Sequence, residues 1–216
     1  MPILSSRGAM SAQGFGMFSR KINSDGTFGI FALGYAGGAV STRDKYTYSG
    51  DVVSAGTAAT MASYFGSAAG NSTEGIFALG YAGAGVATRD KYTYSGDVVS
   101  PSTAAGVASY QGSAAGNSTE GIFALGYTTA AVATRDKYTY SGDVVSAATS
   151  ASVASYYGSA AGNSTEGIFA LGLTGVAVST RDKYTYSGDV VSAGTAASTA
   201  SAAGSAASNG TTGVNI

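Results

Sequence analysis

The carboxylates are the side chains in this sequence best equipped for acid–base or metal chemistry, and they come at a fixed spacing. Asp44, Asp51 and Glu74 return at steps of 46 residues. Two carboxylates flanking a glycosidic bond are what acid/base hydrolysis of a glycan requires. An oxygen-rich set around Asp51 is the kind of ligand Ca²⁺ accepts. Histidine and cysteine are absent, which excludes Ser–His–Asp and Cys–His nucleophilic sites and His- or Cys-ligated zinc. No phosphate-binding Gly-x-x-x-x-Gly-Lys-Ser/Thr occurs, and Gly80-Tyr-Ala-Gly-Ala-Gly85 lacks the dinucleotide spacing and reads as an inter-strand loop. Repetition itself argues against catalysis, because an active site is usually single whereas a scaffold element recurs. The expectation is therefore a protein that is not an enzyme, with no cofactor and no metal. Arg43–Asp44–Lys45 is expected to form a ladder of ion pairs between adjacent units, each contributing roughly 0–1 kcal/mol if exposed.

A second set of residues is marked by variation. The units 75–120 and 121–166 differ at eight of 46 positions, and all eight fall within 82–85 and 101–111 in the numbering of the first. Neutral drift would scatter changes along the chain. Loops do tolerate substitution, but the changes also suit a rim that contacts a ligand. The equivalent pairs are Tyr64-Phe65, Tyr110-Gln111, Tyr156-Tyr157 and Ala202-Ala203. A tyrosine joins an apolar ring to a hydroxyl and fits a sugar face or a protein loop, and Gln111 adds a donor and an acceptor. The expected binding site is Tyr64, Phe65, Tyr110, Gln111, Tyr156 and Tyr157, its ligand a glycan or another cell-surface group. Ala202-Ala203 would be silent, leaving three sites.

These residues sit on a strict internal repeat. Thr42-Arg-Asp-Lys-Tyr-Thr-Tyr-Ser-Gly-Asp-Val-Val53 recurs unchanged at 88–99, 134–145 and 180–191, each copy preceded by Gly-Ile-Phe-Ala-Leu-Gly at 29–34, 75–80, 121–126 and 167–172. Within a unit, Ile30–Tyr35 reads as a strand covered on both faces. Thr42–Ser49 alternates, with Arg43, Lys45 and Thr47 on one side and Asp44, Tyr46 and Tyr48 on the other. Ser49-Gly50-Asp51 is a turn, and Val52–Ser54 a short return strand. The segment 55–65 is ambiguous: its alanines allow a turn or two of helix, which Gly and Thr disfavour. Ser67–Gly70 reads as a strand of small residues and Asn71-Ser-Thr-Glu as a turn. Asn71, Asn117 and Asn163 fit the glycosylation pattern but are expected to be turn residues.

The chain is thus expected to be one repeat domain over 1–216. Residues 1–28 form a degenerate partial repeat, 29–74, 75–120, 121–166 and 167–212 the full ones, and 213–216 a closing strand. Residues 204–216 match 66–78 and Ile3-Leu4-Ser5 resembles Val52-Val53-Ser54, so the two ends would combine into one composite unit. That unit lacks an alternating tyrosine strand, a gap that self-association or another protein would fill.

About four strands per 46 residues is the period of a β-propeller blade. The expected class is all-β: a propeller of four-stranded blades, four full and one composite, with a β-solenoid as the alternative. The order of strands resembles the kelch repeat. Leu33-Gly34-Tyr35 stands at the kelch glycine pair and Tyr46 at its tyrosine, while Val52 and Val53 replace the outer-strand tryptophan. The motifs, with the Gly/Ala/Ser/Thr-rich composition, are also similar to repeats of bacterial and bacteriophage tail-associated structural proteins. That resemblance implies a non-enzymatic virion or tail component presenting variable loops to a host surface or to other virion proteins. An engineered repeat scaffold would share the regularity, and a carbohydrate-active hydrolase using the repeated carboxylates is the rival. The balance of 11 basic against 12 acidic residues provides no basic stripe, so nucleic acid is not an expected partner. No apolar run reaches the roughly 20 residues of a membrane span, and the N-terminus has no signal-peptide h-region. A soluble protein is expected.

Overall fold

The computed structural model describes residues 28–32 and 34–208. Among them every regular element is a β-strand, and the segment 55–65 holds no helix. The first sheet runs β1 (Phe28–Ala32), β2 (Arg43–Thr47) and β3 (Val52–Gly56). Three four-stranded sheets follow: β4 (Ser67–Gly70), β5 (Glu74–Ala78), β6 (Arg89–Thr93) and β7 (Val98–Ser102); β8 (Ser113–Gly116), β9 (Glu120–Ala124), β10 (Arg135–Thr139) and β11 (Val144–Ala148); and β12 (Ser159–Gly162), β13 (Glu166–Ala170), β14 (Arg181–Thr185) and β15 (Val190–Ala193). Each is an antiparallel meander in chain order. The small-residue strand ending one 46-residue period pairs with the apolar strand opening the next. The expected degenerate repeat at 1–28, Phe28 apart, and the closing strand at 213–216 lie outside the described residues; of their composite unit only 204–208 are described, and 205–208, equivalent to Ser67–Gly70, form no strand.

Register assigns each side chain to a face. Phe77 pairs with Asp90 and Gly75 with Tyr92, so these share one face; Ile76 pairs with Lys91 and Ala78 with Arg89 on the other. Strand side chains alternate, so each sheet has a rear face bearing Phe, Asp and Tyr and a forward face bearing Ala, Ile and Arg. The rear face of one sheet packs on the forward face of the sheet before it. Ala69 and Ile76 of the second sheet cluster with Phe123, Leu125, Tyr138 and Tyr140 of the third. Ala115 and Ile122 meet Phe169, Leu171, Tyr184 and Tyr186 of the fourth in the same way. The core is therefore a series of inter-sheet layers, and the apolar strand is covered on both sides as its composition implies.

One glycine shows how tightly the layers close: a Cβ on Gly121 would stand 2.9 Å from the Ala69 Cβ of the preceding sheet.

The ion pairs join adjacent units, as expected, but they are not exposed. Arg43 Nη2 donates to Asp90 Oδ2 at 3.0 Å with both side chains fully buried. Arg89–Asp136 at 3.0 Å and Arg135–Asp182 at 2.9 Å repeat the arrangement. The alternating charges read as a solvated face; in the inner sheets both faces of the tyrosine strand are covered by neighbouring sheets. Each guanidinium lies over a phenylalanine of the next sheet, 4.5 Å from Phe77, 4.6 Å from Phe123 and 4.5 Å from Phe169. Burial lowers the Arg89 and Arg135 pKa values, an effect the paired aspartates oppose.

Each aspartate is also held by the loop before the next sheet. Asp90 accepts from the Thr60 N–H at 2.9 Å and the Thr60 hydroxyl at 2.6 Å. Asp182 accepts from the Ser152 N–H at 2.9 Å and the Ser152 hydroxyl at 2.6 Å. Asp136 receives only the Gly106 N–H, at 2.9 Å, because Gly106 has no hydroxyl. Replacing Arg89 with alanine should strand Asp136 in the core and cost about 3–5 kcal/mol. The equivalent change at Arg181, which has no carboxylate partner among the described residues, should stay within about 0.5 kcal/mol in dilute solution. Urea unfolding of both variants checks this, and equal losses would refute it. Gly106→Ser should restore the missing hydroxyl bond and raise stability by about 1 kcal/mol, read in the same titration.

Candidate functional site

Of the six residues singled out by variation, Tyr64, Tyr110 and Tyr156 lie in one line of aromatic rings, and Phe65, Gln111 and Tyr157 follow them in the chain. The loop entering each sheet is pinned to the next strand exit by paired backbone bonds: Tyr64 N–H to Tyr81 O at 3.1 Å and Tyr81 N–H to Tyr64 O at 2.8 Å, repeated for Tyr110 with Tyr127 and Tyr156 with Leu173. Within a sheet this stacks Tyr64 on Tyr81 at 5.2 Å and Tyr110 on Tyr127 at 5.4 Å. Between sheets Tyr35 meets Tyr64 at 5.2 Å, Tyr81 meets Tyr110 at 5.0 Å and Tyr127 meets Tyr156 at 5.2 Å. Six tyrosines thus form one unbroken file across all four sheets. It ends at Leu173, where the aromatic series stops.

Tyr35, Tyr81 and Tyr127 were not among the residues the sequence singled out. Each follows Gly-Ile-Phe-Ala-Leu-Gly directly, and the change to Leu173 in the fourth copy was the available signal. The file also brings the two variable segments together. Ser109 N–H donates to Val86 O at 3.3 Å, which lays 82–85 beside 109–111. A Cβ at the variable position Gly85 would stand 3.1 Å from the Tyr110 ring.

Phe65, Gln111, Tyr157 and Ala203 share a backbone role that their side chains do not. All four have φ between 55° and 58°, the left-handed region that side-chain-bearing residues seldom adopt. Gln111 N–H donates to Phe65 O, Tyr157 N–H to Gln111 O and Ala203 N–H to Tyr157 O, each at 2.9 Å. This ladder runs from sheet to sheet through backbone alone, so the side chain is free to change. Phe65 is exposed, Gln111 and Tyr157 half-buried, and the Phe65 and Tyr157 rings meet edge-on at 5.7 Å across the intervening unit. Burial first, and then the surrounding tyrosines, raise the Tyr110 pKa.

The carboxylates are engaged in the framework. Asp90, Asp136 and Asp182 are the buried partners described above. Asp143 accepts from the Tyr138 hydroxyl and, at 3.2 Å, from Thr103 N–H of the preceding unit; Asp189 is held likewise by Tyr184 and, at 2.9 Å, by Thr149. Burial pushes both carboxylates up, but the donated hydrogen bonds and the nearby Lys91 and Lys137 outweigh it and hold them below the usual range. Glu74 and Glu120 are raised by burial, which those same lysines oppose. Asn71 Oδ1 accepts from Thr73 N–H at 2.8 Å and Glu74 N–H at 3.0 Å, the expected turn role. Among the described residues no group of three or more acidic side chains is placed to hold a metal ion, and no helix is long and apolar enough to cross a membrane.

No protein-family model matches the chain, and neither does any curated protein.

The inter-sheet tyrosines set a limit in alkali. Burial pushes the Tyr94 hydroxyl up to about 12 and raises Tyr140, Tyr186, Tyr184 and Tyr138 as well, the last two also by donating to Asp189 and Asp143. An unfolded tyrosine ionises near pH 10. The folded chain therefore keeps protons that the unfolded chain sheds, so stability is full below about pH 10 and is lost as pH rises toward about 12. The urea midpoint should be flat up to about pH 10 and fall steeply beyond it. Tyrosinate absorbance should rise in step with loss of the fold. Ionisation of these tyrosines near 10 with the fold intact would refute the assignment.

Proposed function

We propose that this chain is a non-enzymatic binding and scaffold protein that presents its tyrosine file to a glycan or other cell-surface ligand. The observation that carries the reading is the convergence of two variable segments, distant in sequence, on one continuous row of aromatic rings. Flat aromatic faces match the apolar faces of sugar rings, and the phenolic hydroxyls and the Gln111 amide match their hydroxyl groups. The commitment of the aspartates to inter-unit bonds supports a framework role for them rather than hydrolysis.

In the finer reading of the fold, the sheets are kelch-like propeller blades. Strands hydrogen-bond within separate four-stranded sheets that pack face to face, whereas successive coils of a β-solenoid share continuous sheets. The 5.7 Å between Phe65 and Tyr157, two units apart, is well under two strand spacings of roughly 4.8 Å each. This supports an array curving about the ladder, as blades curve about an axis. A place on a virion or phage tail rests on the resemblance of the repeat motifs, and host-surface recognition is the function that place would give.

The test is a glycan array and a cell-surface panel probed with the intact chain and with the combined variant F65A, Q111A and Y157A. Binding should be lost while the chain stays folded: the ladder contact at these positions is made by backbone, and the ring pairs removed, Phe65 with Tyr64 and Tyr157 and Tyr156 with Tyr157, cost about 0.5–1.5 kcal/mol each. Tyr81→Ala or Tyr110→Ala should weaken binding too, with about 0.5–1.5 kcal/mol of stability lost for each ring pair broken. Binding by the triple variant equal to the parent would refute the site.

A further inference from the structure

Four copies of the Arg-Asp dipeptide make three buried pairs, and one half-pair is left at each end of the array. Among the described residues, those without an ion-pair partner are Asp44 on the rear face of the first sheet and Arg181 on the forward face of the last. The surfaces around them are the two sides of a junction. On the rear face, Phe31 is 55% exposed, whereas its equivalents Phe77, Phe123 and Phe169 are at most 8% exposed; Tyr48 is 51% exposed against 8% for Tyr140 and 7% for Tyr186. On the forward face, Ile168 and Ala161 are half-buried where Ile122 and Ala115 are buried. A cleft of about 590 Å³ opens along Ala161, Gly162 and Ile168.

The polar partners complement each other in the same way. Inside the array an aspartate takes a guanidinium N–H together with the N–H and hydroxyl of a Thr or Ser on the preceding unit. Ser198 and Arg181 are the donors at those positions in the last unit, and Asp44 is the acceptor of the set that lacks such donors among the described residues. Thr57, Thr103 and Thr149 donate to the turn aspartate of the following unit; Thr195 is the fourth such threonine and Asp51 the remaining turn aspartate. Ala69 and Ala115 seat against Gly121 and Gly167 of the next sheet; Ala161 is the knob left over, and Gly29 and Gly75 are the seats that meet no such alanine among the described residues.

We propose that the rear face around Asp44 and Phe31 docks on the forward face around Arg181 and Ile168 of a second copy of this chain. The contact repeats the internal junction: Asp44 receives Arg181 and Ser198, Phe31 lies under the Arg181 guanidinium, and Gly29 seats Ala161. The occupant is a second copy because each face carries the residue types that complement the other, at the positions that meet three times within the chain. The interface is head-to-tail, so it generates a closed ring or an open filament according to the rotation per copy. The proposal does not depend on the ligand-binding reading.

Sedimentation equilibrium of the full chain over a range of concentrations tests it. The parent should associate beyond a monomer. D44R and R181D should each weaken self-association at least about 30-fold, the lower end of what breaking a buried charge pair costs at an interface. Their melting temperatures in dilute solution should match the parent, since neither residue joins an internal pair. An equimolar mixture should associate again, because Arg181 of the first variant meets Asp44 of the second. Phe31→Ser, which leaves every charge in place, should weaken association as well. A parent that stays monomeric at every concentration, variants that associate as the parent does, or a mixture that fails to recover would overturn the proposal.

Discussion

A strand sends successive side chains to opposite faces, and the dipeptide Arg43-Asp44 turns that alternation into connectivity. The arginine reaches forward and the aspartate of the next copy reaches back, so every inner sheet is bonded to both neighbours through one pair of adjacent residues. The pair is stripped of water, and that has a cost. A guanidinium and a carboxylate lose several kcal/mol of hydration each on burial, and a well-packed apolar pair is often at least as stable. The return is specificity of register. A slip of one residue in the tyrosine strand would turn the arginine to the wrong face and leave two buried charges unpaired. The phenylalanine beneath each guanidinium and the threonine or serine beside each aspartate supply part of what water gave up. The identity of Thr42 to Val53 in all four copies is then physically reasonable, since nearly every side chain in it serves one junction or the next.

Against that fixed framework, the ladder through Phe65, Gln111, Tyr157 and Ala203 works the opposite way. Its contacts are made by N–H and C=O groups, which every residue but proline provides. The left-handed backbone there costs each residue something of order 1 kcal/mol, and the following glycine lets the chain pass close to the neighbouring carbonyl. The side chain is left without a structural duty. Two kinds of position therefore coexist in one unit: those whose side chains hold the array and those whose backbone alone does. Variation collects at Gln111 of the second kind, beside the tyrosine file at 82–85, and along 101–106 from the end of β7 toward the file.

Much of this was legible in the sequence. The repeat, the order of small, apolar, tyrosine-rich and outer strands, the Gly50-Asp51 turn and the Asn71 turn all follow from local chemistry. Strand limits shifted: the apolar strand starts at Glu74 rather than after it, because Glu74 pairs with Thr93, and it ends before Leu79. The burial of Arg43 and Asp90 was not legible. An alternating charged and aromatic strand carries the pattern of a half-solvated one, and only the stacking of sheets on both faces overrides it. The tyrosine file was half legible. Variation pointed to Tyr64, Tyr110 and Tyr156, but Tyr35, Tyr81 and Tyr127 sit in a motif whose constancy resembles a core strand. Their joining depends on loop-to-strand pairings between residues 17 apart, Tyr64 with Tyr81, which no periodic pattern encodes.

Near-identity of the junctions raises a difficulty of its own. If every forward face fits every rear face, the chain can dock units out of order as it folds, a known hazard of repeat proteins. Short connections remove most wrong choices, because neighbours in sequence meet at a much higher effective concentration than distant units. The residue beside the aspartate adds a second, chemical difference. Thr60 presents a hydroxyl and a methyl group, Ser152 a hydroxyl, and Gly106 neither, so the junctions around Asp90, Asp182 and Asp136 are not equivalent. The weakest cap lies on the middle junction, which is flanked by packed sheets on both sides and can best tolerate the loss. The variable segment 101–111 thus reaches from the tyrosine file at one end to the junction itself at the other. Changes within it alter what the array presents at Gln111 and how firmly its units hold at Gly106, through residues close in sequence but acting on different surfaces.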